Sequence, residues 1–193
     1  MQVLPDRVEG HGMLLRCWRV GDAEAQAAAL AESADHLRPW MAFMNEPPLS
    51  LGARREMLST WERERLAGGD AIYGIFIEDS IAGSTGLHRR RGPDALEIGY
   101  WVHSAFTRRG VASRSAGLLI EAAFAVEGIE RVEIHHDKAN VRSAGVPRKL
   151  GFRFAGEEPD EADAPAEVGI DCAWVLERSV SACERRVTRQ IDE

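Results

Sequence analysis

The stretch LEIGYWVHSAFTRRGVAS, residues 96–113, decides the fold because it joins a strand to a helix through a short basic turn. Residues 96–102 predict a strand in which Leu96, Ile98, Tyr100 and Val102 share one face, since successive side chains of a strand point to opposite sides. A helix is predicted from about Ser113 to Val126, and a further strand over 131–135. The order is that of a β-loop-α-β unit.

The turn between this strand and this helix has the composition of an anion site. At a helix N-terminus the first backbone N–H groups lack helical acceptors and the helix dipole is positive, so a phosphate can bind several donors at once. Gly110 and Ala112 permit close approach, and Arg108 and Arg109 add guanidinium groups suited to a pyrophosphate. The alternative is an ordinary solvated loop with two arginines.

Length and charge restrict the class of protein. With 193 residues and 45% hydrophobic side chains, the chain is expected to fold as one domain with a buried core. A formal net charge of −7 disfavours a nucleic-acid or anionic-membrane partner. No segment reads as a membrane span or signal peptide, so we expect a cytoplasmic protein. Reduced thiols are predicted for Cys17, Cys172 and Cys183, because they are odd in number, widely spaced and in no CxxC pair.

The remaining elements follow from hydrophobic periodicity and from helix-capping and turn residues. A strand is predicted from Met13 to Trp18, then helices over 23–34, capped by Asp22, and over 51–66, capped by Ser50. A hairpin covers 72–87. The rest of the chain is predicted as a short helix over 140–150, strands over 152–155 and 168–176 on either side of an acidic loop, and a polar tail over 179–193.

Four ordered motifs together resemble the GNAT superfamily of acyl-CoA-dependent N-acyltransferases, in particular its Rim-type branch, named for enzymes that acetylate the N-termini of ribosomal proteins. They lie at residues 96–102, 108–112, 140–143 and 149–152, and the likeness extends over about residues 10–178. It implies an α/β (α+β) fold with a mixed, mostly antiparallel central sheet, splayed in the middle and flanked by helices. Residues 1–178 would form a single acyl-CoA N-acyltransferase domain.

The resemblance also implies acetyl-CoA as co-substrate, with its pantetheine arm in the splayed gap. Asn140 would flank the thioester end together with Ser143. The other residues that the resemblance assigns to the co-substrate are the backbone of Trp101, Val102 and His103 for pantetheine, and Arg108, Arg109, Gly110, Val111, Ala112 and Ser113 for the pyrophosphate.

Glu97 stands out because it is a carboxylate in an otherwise apolar strand, and buried glutamates are rare unless they are paired. One interpretation makes it the general base that takes a proton from the acceptor amine, directly or through one water. The other makes it the partner of an arginine among residues 89–91. The sequence leaves both open.

Ser143 is the hydroxyl that the resemblance places near the CoA sulfur, where it could protonate the departing thiolate. Its alternative is a capping role at the start of the 140–150 helix, where serine and asparagine are common. A pattern for metal ligation is absent: His135 and His136 are adjacent on a strand and therefore face opposite ways. No metal cofactor is expected.

The acceptor site is the part of the sequence with the weakest signal. Trp40 and Phe43 lie in a proline-broken aromatic segment that could line the acceptor pocket or simply pack over the sheet edge, and His88 could touch substrate or lie on the surface. The acceptor itself is expected to be a primary amine, and the Rim-type resemblance implies the α-amine of a protein or peptide N-terminus. A homodimer is expected by analogy alone.

Two other functions fit the same fold. The acceptor could be a small amine, such as an aminoacyl antibiotic or a polyamine, which the acidic segment 157–163 would suit. Alternatively, the protein could bind CoA without catalysis, because Thr107 stands where many superfamily members have Gln or Arg, and because Gly145 and Pro147 interrupt the 140–150 helix.

Overall fold

A computed structural model describes residues 2–178, so the predicted tail at 179–193 lies outside the described residues. The strands are β1 (Arg7–Gly10), β2 (Met13–Cys17), β3 (Ala71–Ile77), β4 (Ser80–His88), β5 (Ala95–Val102), β6 (Arg131–Asp137), β7 (Arg153–Pro159) and β8 (Ile170–Glu177). The helices are α1 (Ala23–Glu32), α2 (Ala34–Leu37), α3 (Leu51–Leu66), α4 (Val111–Phe124) and α5 (Val141–Lys149).

The eight strands form one sheet in the order β1-β2-β3-β4-β5-β6-β8-β7. Every neighbouring pair is antiparallel except β5 and β6, which are parallel and pair only from Ala95↔Arg131 to Glu97↔Glu133. Beyond Glu97, β5 runs on to Val102 without β6 beside it, while β6 stays paired with β8 as far as Asp137. The sheet is therefore mixed, mostly antiparallel and splayed in the middle, as predicted.

The main core lies between the sheet and α4. Leu96 and Ile98 are buried there with Leu119 of α4, and Tyr100 and Val102 pack against the same cluster. The predicted alternation along β5 is thus confirmed, and its apolar face is the one that α4 covers. We call this side of the sheet the α4 face.

The opposite side, which we call the α3 face, is covered by α1 and α3 over one half of the sheet. Trp18 and Leu58 are buried there. The Trp18 indole N–H donates to Ser84 Oγ at 2.9 Å, and that hydroxyl donates to the Tyr73 carbonyl at 2.7 Å, so these two polar side chains are satisfied. Glu97, Gly99 and Trp101 of β5 point to this side by alternation.

Several element boundaries differ from the prediction. Asp22 stands at the start of α1 but makes no side-chain cap; its carboxylate binds Arg16 at 2.8 Å and 3.0 Å instead, because an ion pair competes with the cap. The strand β1 is absent from the prediction, since four residues carry little periodicity. The strand β7 runs on through Pro159, so part of the acidic segment is paired with β8 rather than looped.

The sequence also predicts that the chain has no membrane span and that its cysteines are reduced. Within residues 2–178, no helix is long and apolar enough to span a membrane. Cys17 and Cys172 are free thiols, while Cys183 lies outside the described part of the chain.

Candidate active site

The predicted phosphate loop has the geometry of an anion site. Gly110 precedes α4 with φ +70°, and an added Cβ there would meet no atom of residues 2–178 within 4 Å. The first helical bond of α4 runs from Arg114 N to Gly110 O at 3.0 Å, so the N–H groups of Val111, Ala112 and Ser113 precede every helical acceptor. These residues fit a pyrophosphate group, with Arg108 and Arg109 on the same turn.

The splayed gap opens toward this loop. Because β5 and β6 are parallel, their carboxyl ends lie on the same edge of the sheet, and α4 and α5 both follow at that edge. Trp101 and Val102 pair with Ser84 and Gly83 of β4, and no strand within residues 2–178 lies beside their other edge. A strand edge with free polar backbone groups is suited to an extended ligand such as pantetheine.

His103 is placed differently from Trp101 and Val102. Its backbone N–H donates to Ala82 O at 2.9 Å, and its carbonyl accepts the Phe106 N–H at 2.9 Å. Its imidazole Nδ1 accepts the Ala105 N–H and its Nε2 lies 3.2 Å from Glu32. The predicted backbone contact with pantetheine is thus disfavoured at His103, because its N–H is already used within the fold.

Ser143 faces β5 across the gap. Its hydroxyl lies 3.0 Å from the Tyr100 hydroxyl, which also lies 3.3 Å from the Ser143 carbonyl. A capping role was the alternative prediction for Ser143. The cap is formed by Asn140 instead, because the Asn140 Oδ1 accepts the Ser143 N–H at 3.2 Å. The Ser143 hydroxyl is therefore not engaged in capping.

Pro147 explains why Tyr100 can reach the Ser143 backbone. A proline has no N–H, so Pro147 cannot donate to the carbonyl four residues earlier, which is that of Ser143. The Tyr100 hydroxyl lies where it can donate to this carbonyl, and α5 runs from Val141 to Lys149 with Pro147 inside it. Burial raises the pKa of Tyr100 to about 12, so the phenol is protonated at neutral pH. Tyr100 is a site residue that the sequence analysis did not single out, although its face was predicted.

Glu97 is engaged by two arginines. Its Oε2 accepts from Arg90 Nε at 2.9 Å and from Arg91 Nε at 2.6 Å, and its Oε1 contacts Arg90 Nη2. Burial alone would raise the pKa of Glu97, but the hydrogen bonds and charges of the two guanidinium groups outweigh it and hold the pKa below its ordinary value. This geometry favours the ion pair over the role of general base, because a depressed pKa makes a weaker base.

A second charged group lies beside Glu97 on the α3 face. His135 Nδ1 lies 2.6 Å from Asp171 Oδ2, and its Nε2 lies 2.9 Å from Glu133 Oε2. Burial acts to lower the pKa of His135, but its hydrogen bonds to the two carboxylates raise it above the ordinary value. Both ring nitrogens are thus occupied. Among residues 2–178 no cluster of acidic, His or Cys side chains could hold a metal ion.

The residues predicted for the acceptor lie in two places. Phe43 is 51% exposed and Trp40 is half-buried, in a segment tied to the loop before β8 by the bond from Ala166 N to Pro39 O at 3.0 Å. His88 lies at the end of β4, opposite Glu97 of β5, with its Nδ1 2.8 Å from Asp70 Oδ2. His88 therefore lies on the α3 face at the start of the gap.

Comparison with known proteins identifies the class to which this fold and gap belong. Residues 13–153 match the acetyltransferase (GNAT) domain family. The chain belongs to the GNAT family of acetyltransferases and is an acetyl-CoA-dependent acyltransferase.

Individual relatives confirm the resemblance to the Rim-type branch. The protein named "Putative ribosomal N-acetyltransferase YdaF", from Bacillus subtilis (strain 168), is 27% identical over 140 residues, which cover 72% of this chain and 76% of that protein. A structure of RimL, a ribosomal L7/L12 α-N-protein acetyltransferase in complex with coenzyme A, is 18% identical with a TM-score of 0.79, covering 91% of this chain and 98% of RimL. The microcin C7 self-immunity acetyltransferase MccE, in complex with acetyl-CoA and AMP, is 15% identical with a TM-score of 0.81 and the same coverage.

Proposed function

We propose that this protein acetylates the α-amine of a peptide or protein N-terminus. The observation that carries the proposal is the parting of β5 and β6 beside the phosphate loop, which provides an open strand edge for an acyl-CoA in a fold shared with ribosomal N-acetyltransferases. Acetyl-CoA supplies the activated acetyl group. The protein, as one acyltransferase domain over residues 1–178 acting in the cytoplasm, supplies its binding and orientation.

Each group at the gap has a proposed task. Residues 108–113 hold the pyrophosphate, and the free edge of Trp101 and Val102 holds the pantetheine arm. Ser143 gives a proton to the departing sulfur, supported by its uncapped hydroxyl and its contact with Tyr100. Glu97 carries no assigned step here, because both of its oxygens bind arginines.

The chemistry of the acceptor favours an α-amine. An α-amino group titrates near ~7.7–8.0 and a lysine ε-amine near ~10.4, so the α-amine is partly neutral at physiological pH and needs only a modest base. The acidic balance of the chain, at net −7, suits a basic partner such as a ribosomal protein. In this proposal the peptide end approaches on the α3 face, the side of the sheet that carries His88.

The test offers peptides that begin with Ala, Ser or Thr and also contain a lysine, together with acetyl-CoA, and maps the acetyl group by mass spectrometry. We expect labelling of the α-amine. Predominant ε-labelling would refute the proposed acceptor. Turnover of small amines alone would instead make the protein a small-molecule acetyltransferase.

A further inference from the structure

The His88 side chain lies on the α3 face of the sheet, beside the gap and above two glycine positions. Gly86 of β4 and Gly99 of β5 are cross-strand partners, so the sheet has two adjacent positions without side chains. A Cβ added to Gly86 would lie 2.8 Å from His88 Nε2, and a Cβ added to Gly99 would lie 3.3 Å from it. The imidazole therefore leans along the sheet over the point where β5 loses its pairing with β6, and its Nε2 lies nearest that point.

Asp70 fixes the orientation of this ring. Its Oδ2 lies 2.8 Å from His88 Nδ1, and its Oδ1 accepts the Arg89 backbone N–H at 2.8 Å. Burial alone would raise the pKa of Asp70, but the hydrogen bonds from the His88 ring and the Arg89 N–H outweigh it and lower the pKa. An ionised carboxylate on Nδ1 selects the tautomer that carries its proton there, which leaves the lone pair on Nε2.

The Nε2 atom has no hydrogen-bond partner within residues 2–178, and the His88 side chain keeps 19% of its surface exposed. The other charged groups of this neighbourhood are already paired: Glu97 opposite on β5 binds Arg90 and Arg91, and His135 of β6 binds two carboxylates. An imidazole with one oriented and one free nitrogen is the arrangement that proton transfer near neutral pH requires.

The position of His88 also complements that of Ser143. Ser143 contacts Tyr100, whose side chain lies on the α4 face, whereas His88 shares the α3 face with Glu97. A group that accepts a proton from the incoming amine and a group that gives one to the departing sulfur need separate positions around the reacting carbon. The sheet separates His88 and Ser143 in this way.

We propose that His88, oriented by Asp70, is the catalytic base that deprotonates the acceptor amine. The inference rests on the proposed acetyl transfer. The Nε2 lone pair takes one proton from the ammonium group and later releases it to solvent. The neutral amine then forms the C–N bond to the acyl carbon, and the C–S bond breaks with its electron pair on sulfur. Ser143 gives its hydroxyl proton to that sulfur and is reprotonated from solvent, while the second amine proton leaves to solvent through His88 Nε2.

The first test replaces the imidazole. With whichever amine the wild-type protein acetylates, we expect His88→Ala to lower kcat by about 100-fold, a typical loss for a general base. Acetyl-CoA affinity by calorimetry should change by less than about twofold, since the ring lies outside the phosphate loop. Because the substitution leaves a space above Gly86 and Gly99, added imidazole should restore part of kcat. His88→Gln, which keeps a side chain of similar size, serves where the alanine variant does not fold.

The second test addresses Asp70. In Asp70→Asn the side-chain NH2 can donate to Nδ1 and favour the tautomer with its proton on Nε2, so kcat should fall while acetyl-CoA affinity is kept. A purely structural role would lower stability and leave kcat of the folded variant unchanged. The matched control is His11→Asn in the exposed β1–β2 turn, which should keep wild-type kcat.

The proposal is overturned if folded His88 variants keep kcat within about threefold of wild type, or if Glu97→Gln lowers kcat by about 100-fold while His88→Gln does not. Failure of the His88 proposal can be distinguished from failure of the proposed function. If the wild-type protein labels a lysine ε-amine or a small amine, the α-amine assignment fails, and the His88 comparison is made on that amine without change.

Discussion

Gly110 shows how one backbone conformation creates the co-substrate site. Its φ of +70° is the left-handed conformation, which costs a residue with a Cβ about 1–2 kcal/mol. That conformation turns the chain into α4 with three N–H groups free of helical acceptors. The open space around the missing Cβ is the space that we assign to the pyrophosphate.

Gly110→Glu is therefore expected to abolish acetyl-CoA binding in a folded protein, because the carboxylate would occupy and repel the phosphate position. Isothermal titration calorimetry with acetyl-CoA measures this. Gly128→Glu is the matched control, since Gly128 also has a positive φ, +80°, and open space around it, but lies after α4. It should lose similar stability and keep affinity. Unchanged affinity in the Gly110 variant would contradict the phosphate assignment.

At the scale of an element, α5 is a short helix built to present Ser143. The Asn140 side chain caps its first turn, and Pro147 leaves the Ser143 carbonyl open to the Tyr100 hydroxyl. The first turn of α5 is thus fixed at two points, one from its own chain and one from β5. Gly145 and Pro147 do not prevent the helix, because only one helical hydrogen bond is lost at the proline.

Asn140→Ala should cost about 1 kcal/mol in the free energy of unfolding, which is typical for an N-cap. It should also lower kcat more than acetyl-CoA affinity, because it frees the turn that holds the Ser143 hydroxyl. Asn140→Asp should restore both, since a carboxylate also accepts the Ser143 N–H. Urea denaturation and steady-state kinetics check the two effects.

Ser50→Ala is the comparison that separates stability from catalysis. Ser50 caps α3 by accepting the Ala53 N–H at 3.2 Å, on a helix away from the gap. We expect a similar loss of stability with unchanged kcat. Equal losses of kcat in the Asn140 and Ser50 variants would mean that the Asn140 effect is general destabilisation.

At the scale of the whole molecule, the α3 face carries a charged network across the narrow end of the gap. Glu97 binds Arg90 and Arg91, Glu133 binds Arg131 at 2.8 Å, and His135 lies between Glu133 and Asp171. The His135–Asp171 pair joins β6 to β8, and Arg131 joins β6 to the loop before β5 through Asp94 Oδ2 at 2.7 Å, where the sheet begins to part. These ion pairs stabilise the sheet at the narrow end of the gap, and beyond that end β5 and β6 are not paired.

The raised pKa of His135 predicts how stability depends on pH. A group that binds its proton more tightly in the folded state stabilises fully below its ordinary pKa, about 6.5, and loses that contribution as pH rises through the folded value. The free energy of unfolding should therefore decline above pH 6.5 in the wild-type protein, and the decline should be smaller in His135→Gln. Urea denaturation between pH 6 and 9 measures it. His11→Asn, an exposed histidine variant, should keep the full decline.

Much of the fold could be predicted because it depends on local pattern. Alternation along 96–102 indicated which side chains of β5 share its apolar face, and Ser50 was correctly predicted to cap α3. The order of strand, basic turn, helix and strand over 96–135 indicated the unit formed by β5, α4 and β6. Strand β1 and the extension of β7 were not predicted, because their own sequences have little strand periodicity. They are extended because they pair with β2 and β8.

The sequence by itself indicated the unit formed by β5, α4 and β6 and the basic turn before α4, since these depend on glycine conformation, helix starts and strand periodicity within about 20 residues. The family and the splayed sheet were implied by the resemblance of the ordered motifs, and both are confirmed. Only the tertiary structure decided which side chains meet at the gap. It joined Glu97 to Arg90 and Arg91, Tyr100 to Ser143, and His88 to Asp70, at separations of 6 to 43 residues. The physical reason is that a hydrogen bond or ion pair depends on where packed strands and helices bring two groups in space, which residue spacing along the chain does not specify.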